Sequence, residues 1–412
     1  MKKILVSAFR CNTGLHAAYS TFRWAEVLGE LYDVKLATPA FNIPAIEKYY
    51  SERGKRIPYE IIPIDVNEFK FKTGSILKTI EKSFKPGFFL FENKLLHYIK
   101  KNKIENDFDI VFRLSPTSPR FFSSLWKLKK PFLVGMLNGG LHPPQELKSF
   151  FKDEPTHYKL RHFDKFLFGN KLTTKYLDKA DIIFTGVDFT KNILPRRVHH
   201  KVITIPGMGI DEIKYRSDEK KYEKFTFLFA GRFTRYKGGL LLLKAFQRLV
   251  KQYPQVDVRL EMVGKGEEEG VYKEFVTSSG LRDKVNFNGW KTQVEVEEFM
   301  RKSHIFVFPS ITEGLGNIYL EALSVGIPTI CTNYGGGGYI IKNGAGIKID
   351  IDEEEKMIEG YKEAMYKVSS DKGFFQDLQS KTLELAQEYQ WPNLKKQMKH
   401  VIDNNYEKKL TT

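Results

Sequence analysis

Two cations five positions apart, Arg232 and Lys237, and two carboxylates eight apart, Glu313 and Glu321, suit chemistry on a charged, hydroxyl-rich molecule. Arg232 and Lys237 lie in AGRFTRYKG, where an apolar run ends at Gly231 and a helical stretch follows. Glycine lets a ligand approach the backbone, Arg offers a planar fork for phosphate oxygens, and Lys offers a mobile point charge. No Ser or Thr follows Lys237 to hold magnesium, so the segment is not a P-loop. Taken alone it reads either as a phosphate cradle or as a solvated basic turn. In PSITEGLGN, residues 309–317, Gly314 and Gly316 present backbone N–H groups where a helix carrying Glu321 begins. Such a helix start favours anions, while carboxylates accept hydrogen bonds from paired hydroxyls. The same two glutamates also suit a plain helix N-terminus. Val263-Gly264-Lys265-Gly266 and Asn288-Gly289-Trp290-Lys291 each end a further apolar run and flank a place for a nucleobase. Trp290 suits base stacking or ordinary packing.

The elements that must position these residues are short apolar runs alternating with longer amphipathic stretches. KILVSAF, DVKLATP, YEIIPID, FDIVFRL, PFLVGML and ADIIFTG read as strands buried on both faces of a parallel sheet, with a helix over 17–32. The pattern restarts at FTFLFAG and runs through VRLEMVG, KVNFNG, HIFVFPS and IPTICTN, with helical stretches between them. Strand–helix alternation twice over predicts two Rossmann-like α/β domains, 1–200 and 201–391. A linker is expected between about 195 and 222, and the final helix, 392–412, is expected to pack back on the first domain. Open α/β sheets bind ligands at the carboxyl ends of their strands, so two such domains are expected to face each other across a cleft.

In this order and spacing, GRFTRYKG, VGKGEEE, VNFNGW and FVFPSITEGLGNIYLEALSVGIPTI resemble the retaining glycosyltransferases of family 4, which have the GT-B fold. Glu313 and Glu321 match that family's Glu-x7-Glu motif, and ADIIFTGVDFTKNIL and IPGMGID resemble its interdomain region. The likeness is strong from about 180 to 350 and weaker in the N-terminal half. The resemblance implies a nucleotide-sugar donor (UDP-, GDP- or ADP-linked), with Arg232 and Lys237 on its diphosphate and Glu321 on the ribose hydroxyls. Glu313 would contact the transferred sugar, helped by amides of Gly314, Leu315, Gly316 and Asn317. The base would lie near Val263, Gly264 and Trp290, and Gly231 is a further donor-binding residue. On the N-terminal side Gly14 corresponds to a glycine-rich loop that here keeps one glycine, and Asn138, Gly139, Gly140 and His142 to the sugar side. His142 is either a catalytic-side contact or a structural loop residue. Where the family often has an acidic residue after the glycines, YGGGGYIIKNGAG has Tyr339, and the loop is expected to close on the sugar.

The resemblance also implies retention of configuration by a front-face reaction, in which the departing phosphate takes the acceptor's proton. Charge stabilisation then matters more than a strong base. With no DxD-type motif, no metal is expected. The acceptor is expected to be a glycan or a lipid-linked acceptor, in cell-envelope polysaccharide or glycolipid assembly.

Composition limits the remaining choices. The net charge of +16 favours an anionic partner or reflects a lysine-rich, soluble surface. Between 69 and 103, nine Lys and seven aromatic residues accompany two acidic ones. That suits docking on an anionic membrane face, or an N-domain helix with buried Phe and solvated Lys. Cys11 and Cys331, far apart and outside any CxxC, are expected to be buried reduced thiols of a cytoplasmic protein. The N-terminal MKKILVSAFRCNTG is too short in its apolar part for a signal peptide and reads as a first buried strand, and no run is long enough to span a membrane. A different GT-B sugar-nucleotide enzyme, such as an epimerase, is the nearest alternative. A nucleic-acid-binding protein is more remote, because no such module is visible and the donor-side residues would be unexplained.

Overall fold

The computed structural model describes residues 1–14, 16–66, 86–142, 144, 146–147 and 170–410. The chain divides into two units. One comprises Met1–Gly140, Pro155–Gly207 and Lys395–Thr412, and the other Leu141–Glu154 and Met208–Leu394.

The first unit holds a seven-stranded, all-parallel sheet. Its strands are β1 (Lys3–Ala8), β2 (Asp33–Pro39), β3 (Glu60–Ile64), β4 (Ile110–Ser115), β5 (Phe132–Leu137), β6 (Ile182–Thr185) and β7 (Val202–Thr204), in spatial order 3-2-1-4-5-6-7. Every residue of β4 and β5 is buried, which is why these strands read as unbroken apolar runs. The helices are α1 (His16–Leu31), α2 (Ile43–Ser51), α3 (Pro86–Asn102) and α4 (Lys171–Lys179). Phe88, Phe91, Leu95 and Ile99 of α3 recur at helical spacing and join Leu5, Val111, Val134 and Ile183 in one core.

The second unit holds a six-stranded parallel sheet. Its strands are β8 (Phe225–Ala230), β9 (Val258–Val263), β10 (Val285–Phe287), β11 (Ile305–Phe308), β12 (Thr329–Thr332) and β13 (Gly346–Ile349), in order 10-9-8-11-12-13. Its helices are α5 (Gly239–Gln252), α6 (Glu269–Ser278), α7 (Gln293–Lys302), α8 (Asn317–Ser324), α9 (Gly335–Ile340), α10 (Glu354–Ser370) and α11 (Lys372–Glu388). The last helix, α12 (Trp391–Leu410), runs from Lys395 onward within the first unit. There Lys2 and Lys395 pair with Asp403 and Glu30 at 2.6 and 2.7 Å.

Both sheets have the doubly wound order, with a topological switch point between β1 and β4 in one and between β8 and β11 in the other. Two local readings of the sequence are corrected. The stretch 195–222, read as linker, contains β7, because Val202, Ile203 and Thr204 extend the sheet beside β6. The glycine run read as a loop is the helix α9. Both cysteines are buried free thiols, and burial pushes the Cys331 thiol up to about 12.

Candidate functional site

In the second unit the segments after β8, β9, β10 and β11 meet at the carboxyl edge of the sheet, around the switch point. Gly231 N donates to Val263 O at 2.9 Å, Gly264 N to Gly289 O at 2.8 Å, and Phe233 N to Lys265 O at 2.9 Å. These bonds tie three strand ends into one surface. Gly264 is required there: its φ is +144°, and a Cβ on it would sit 1.9 Å from Gly231 O. Val263 is buried.

Lys237 and Glu313 form an ion pair across the switch point, both largely enclosed. Phe308 lies beneath the Lys237 ammonium, 5.5 Å from Nζ to ring centroid. Burial pushes the Lys237 pKa down toward about 8, and the carboxylate against it favours the charged form. Arg232, by contrast, is 65% exposed and 3.4 Å from Glu267. Glu321, on the second turn of α8, accepts from Gln293 Nε2 at 3.0 Å, and burial raises its carboxyl above the usual range. Gln293 opens α7, whose start is fixed by a reciprocal capping box between Thr292 and Glu295. Two residues before that cap, Trp290 stands 67% exposed, outside any core.

Gly314 to Asn317 lead into α8 over the glycine helix. Gly336 N donates to Glu313 O at 2.7 Å, and a Cβ on Gly336 would lie 2.9 Å from Gly314 O. The glycine run therefore serves close packing beneath the Glu313 loop. His142 also belongs to this unit; its side chain is exposed and its backbone carbonyl accepts from the Tyr334 hydroxyl.

In the first unit the remaining candidates lie at the carboxyl edge of the other sheet. Gly14 N donates to Asn12 Oδ1 at 3.1 Å, and Asn12 is held by the fully buried Asn42 at 3.1 Å. Asn138 N donates to Thr117 O at 2.7 Å, linking the segments after β4 and β5. Asn138 Oδ1 is buried without a hydrogen-bond partner among the described residues. Gly139 O accepts from Thr190 at 2.8 Å, and Gly140 lies against Ile193.

The structure thus places Arg232, Lys237, Glu313, Glu321, Gly231, Val263, Gly264, Trp290 and Gly314 to Asn317 on one sheet edge. Sequence reasoning missed Gln293 and Glu267, polar surface residues whose only local signal is the Thr292–Glu295 capping pattern beside Gln293. Among the described residues no group of three or more His, Cys, Asp or Glu is arranged to hold a metal ion.

Residues 211–379 match the family model described as glycosyl transferases group 1. This segment is similar to a glycosyltransferase group 1 domain. All the second-unit candidates except His142 lie inside it. Over 175 residues the chain is 32% identical to an uncharacterized glycosyltransferase of Methanocaldococcus jannaschii, covering 39% of this chain and 42% of that one. The chain thus spans less than half the length of that relative. Two solved structures extend the likeness beyond the group 1 domain. A glycosyltransferase from Rickettsia africae aligns over 98% of both chains, with a TM-score of 0.61 and 14% identity. Anabaena HepE in complex with UDP aligns over 98% of this chain and all of its own, with a TM-score of 0.59 and 14% identity. At that identity they show the fold, the GT-B class with two Rossmann-like α/β domains.

Proposed function

We propose that the protein is a retaining glycosyltransferase of the family 4 type, moving a sugar from a nucleoside-diphosphate donor to a glycan or lipid-linked acceptor of envelope polysaccharide or glycolipid assembly. The observation that carries this reading is the enclosed Lys237–Glu313 pair at the switch point of the group 1 domain, with Arg232 and the Gly314–Asn317 amides at the same edge.

On this reading Lys237 and Arg232 hold the diphosphate and stabilise charge as the bond from the anomeric carbon to the phosphate oxygen breaks. The acceptor oxygen bonds to the same face of that carbon, and its proton passes to the departing phosphate. Glu313 keeps Lys237 charged and accepts hydroxyls of the transferred sugar. Glu321 takes the ribose hydroxyls, Trp290 stacks on the base, Val263 and Gly264 lie beside the base, and Gly231 lets the donor approach the backbone. Gly14, Gly139, Gly140 and Asn138 serve the diphosphate and sugar from the acceptor side, and His142 serves the sugar. No metal enters the scheme.

Uracil is the base to test first, because HepE has been solved with UDP and with UDP-glucose. The acceptor is proposed to be reached at an anionic membrane face through 69–103. Residues 67–85 lie outside the described residues; in α3, Leu90 and Tyr98 are exposed while Phe88 and Phe91 are core. Failure of the full chain to float with anionic liposomes would remove that part.

The test is a thermal-shift screen against UDP, GDP, ADP and their sugar conjugates, with Glu321→Ala and Arg232→Ala alongside. A ligand bound only by the folded state raises its stability. The expected result is a shift with one nucleotide family, diminished in both variants. No shift with any nucleotide in folded protein would sink the donor site.

A further inference from the structure

The first unit has a second charged recess at the opposite edge of its sheet. A cavity of about 840 Å³ is lined by Trp126, Lys127, Lys129, Lys130, Lys179 and Tyr406, with Asp109, Pro131, Phe132 and Asp181 at its base. Asp109 precedes β4, Pro131 precedes β5 and Asp181 precedes β6, so the base is the amino edge of the sheet. The candidate loops leave the carboxyl edge, roughly 20 Å away for strands of this length at about 3.3 Å per residue. A ligand here would be distinct from the donor.

Its lining is net positive, with four lysines against the carboxylates of Asp109 and Asp181. Asp109 Oδ2 accepts from Lys3 N and Asp181 Oδ2 from Phe132 N, both at 2.8 Å, so each caps a strand start. None of the four lining lysines has an ion-pair or side-chain hydrogen-bond partner among the described residues, although many lysines elsewhere are paired. Lys175 adds a further ammonium, 5.0 Å from the Trp126 ring centroid. Unpaired like charges around a concavity raise the local potential, and a bound polyanion relieves their repulsion. The volume falls in the range of small-molecule sites, roughly 300–1,000 Å³. The two rings supply an apolar wall beside the cations.

We infer that this recess binds a molecule bearing two or more phosphate groups, recognised by Lys127, Lys129, Lys130 and Lys179, at a site separate from the donor loops. The phosphates belong either to a soluble solute or to lipid headgroups, and the experiment separates these sources. Calorimetric titration of the full chain with inorganic tripolyphosphate, at constant ionic strength, is one arm. Flotation with phosphatidylcholine vesicles containing diphosphatidylglycerol, whose headgroup carries two phosphates, is the other. Each is run on the wild type, Lys130→Gln/Lys179→Gln, the control pair Lys55→Gln/Lys251→Gln, both exposed and outside 69–103, and Lys237→Gln in the donor loop.

The expected result is binding weakened at least about tenfold in Lys130→Gln/Lys179→Gln, as loss of charge-assisted bonds would give, and retained in the other two variants. Lysine-dependent binding of tripolyphosphate identifies a soluble source; lysine-dependent binding of vesicles alone identifies a headgroup. Equal binding by this variant and the control pair, loss only in Lys237→Gln, or no binding in either arm would overturn the inference. Nucleotide shifts measured on the same variants keep the donor reading separate. Unliganded melting temperatures check folding, and the exposed Lys127→Gln serves if the double variant does not fold.

Discussion

Lys237 and Glu313 are 76 positions apart, yet they form an ion pair across the switch point of the second sheet. Neighbouring parallel strands, β8 and β11, deliver one residue each. Because Phe308 and the enclosing loops exclude much of the solvent, the two charges depend on each other.

That dependence predicts the behaviour of Lys237→Ala and Glu313→Gln. Each leaves a half-enclosed group without its partner and removes charge from the candidate diphosphate site. Turnover is expected to fall by about 10²–10³-fold, the usual consequence of losing one electrostatic stabiliser. Steady-state kinetics and melting curves check it. A Lys237→Ala enzyme with unchanged turnover would exclude Lys237 from catalysis.

Arg232 should separate activity from stability. Its guanidinium is 65% exposed and 3.4 Å from Glu267, and exposed pairs contribute about 0–1 kcal/mol. Arg232→Ala is therefore expected to melt close to the wild type while losing nucleotide-dependent stabilisation. A large drop in melting temperature would give Arg232 a structural role instead.

Gly264→Ala tests the tie between strand ends. Its Cβ would lie 1.9 Å from Gly231 O, a backbone atom that cannot move without shifting the whole loop. At Gly280, also at positive φ (+70°), a Cβ meets nothing within 4 Å. Gly280→Ala should cost about 1–2 kcal/mol, the left-handed penalty alone. Gly264→Ala should cost more and weaken nucleotide binding as well. Equal melting shifts would mean that the loops adjust freely.

Most of the fold was legible because doubly buried strands read as apolar runs, and DVKLATP coincides with β2. β7 and β13 were not, since VIT and GIKI are short, half-covered edge strands with no run to mark them. The glycine helix escaped because Gly335, Gly336 and Gly337 are selected by contact with Glu313, Gly314 and Tyr319, which spacing does not reveal. The charged candidates stood out by type at strand ends. The Lys237–Glu313 contact and the Gln293–Glu321 bond did not, because both arise from strand order.

Glu92 on α3 predicts a pH dependence of stability. It is buried, and its carboxyl accepts from Ser123 Oγ and Ser124 N at 2.8 Å each. Burial raises it to about 7, opposed by the Ser124 amide, the Arg113 charge and the Ser123 hydroxyl. A pKa raised in the folded state contributes stability below the unfolded value near 4.5 that is lost as pH rises through about 7. Glu92→Gln should flatten this dependence, which amounts to up to about 3 kcal/mol. Denaturant unfolding at pH 5 and pH 8 measures it, and an unchanged slope in the variant would assign the pH dependence to other groups.

Trp290 offers a direct view of the nucleobase. Of the four tryptophans, Trp24 and Trp391 are buried and Trp126 is half-buried, while Trp290 is 67% exposed two residues before the α7 cap. A base stacking on it would quench its emission and remove its ring from water. Titration with the nucleotide identified by thermal shift should quench fluorescence in the wild type and not in Trp290→Leu. Base stacking contributes about 1–3 kcal/mol, so affinity in that variant should fall by roughly tenfold or more, with folding unchanged. Because the ring contributes little to the core, weaker binding cannot be charged to lost stability. Quenching that persists in Trp290→Leu would place the base elsewhere and leave the exposed ring to another partner.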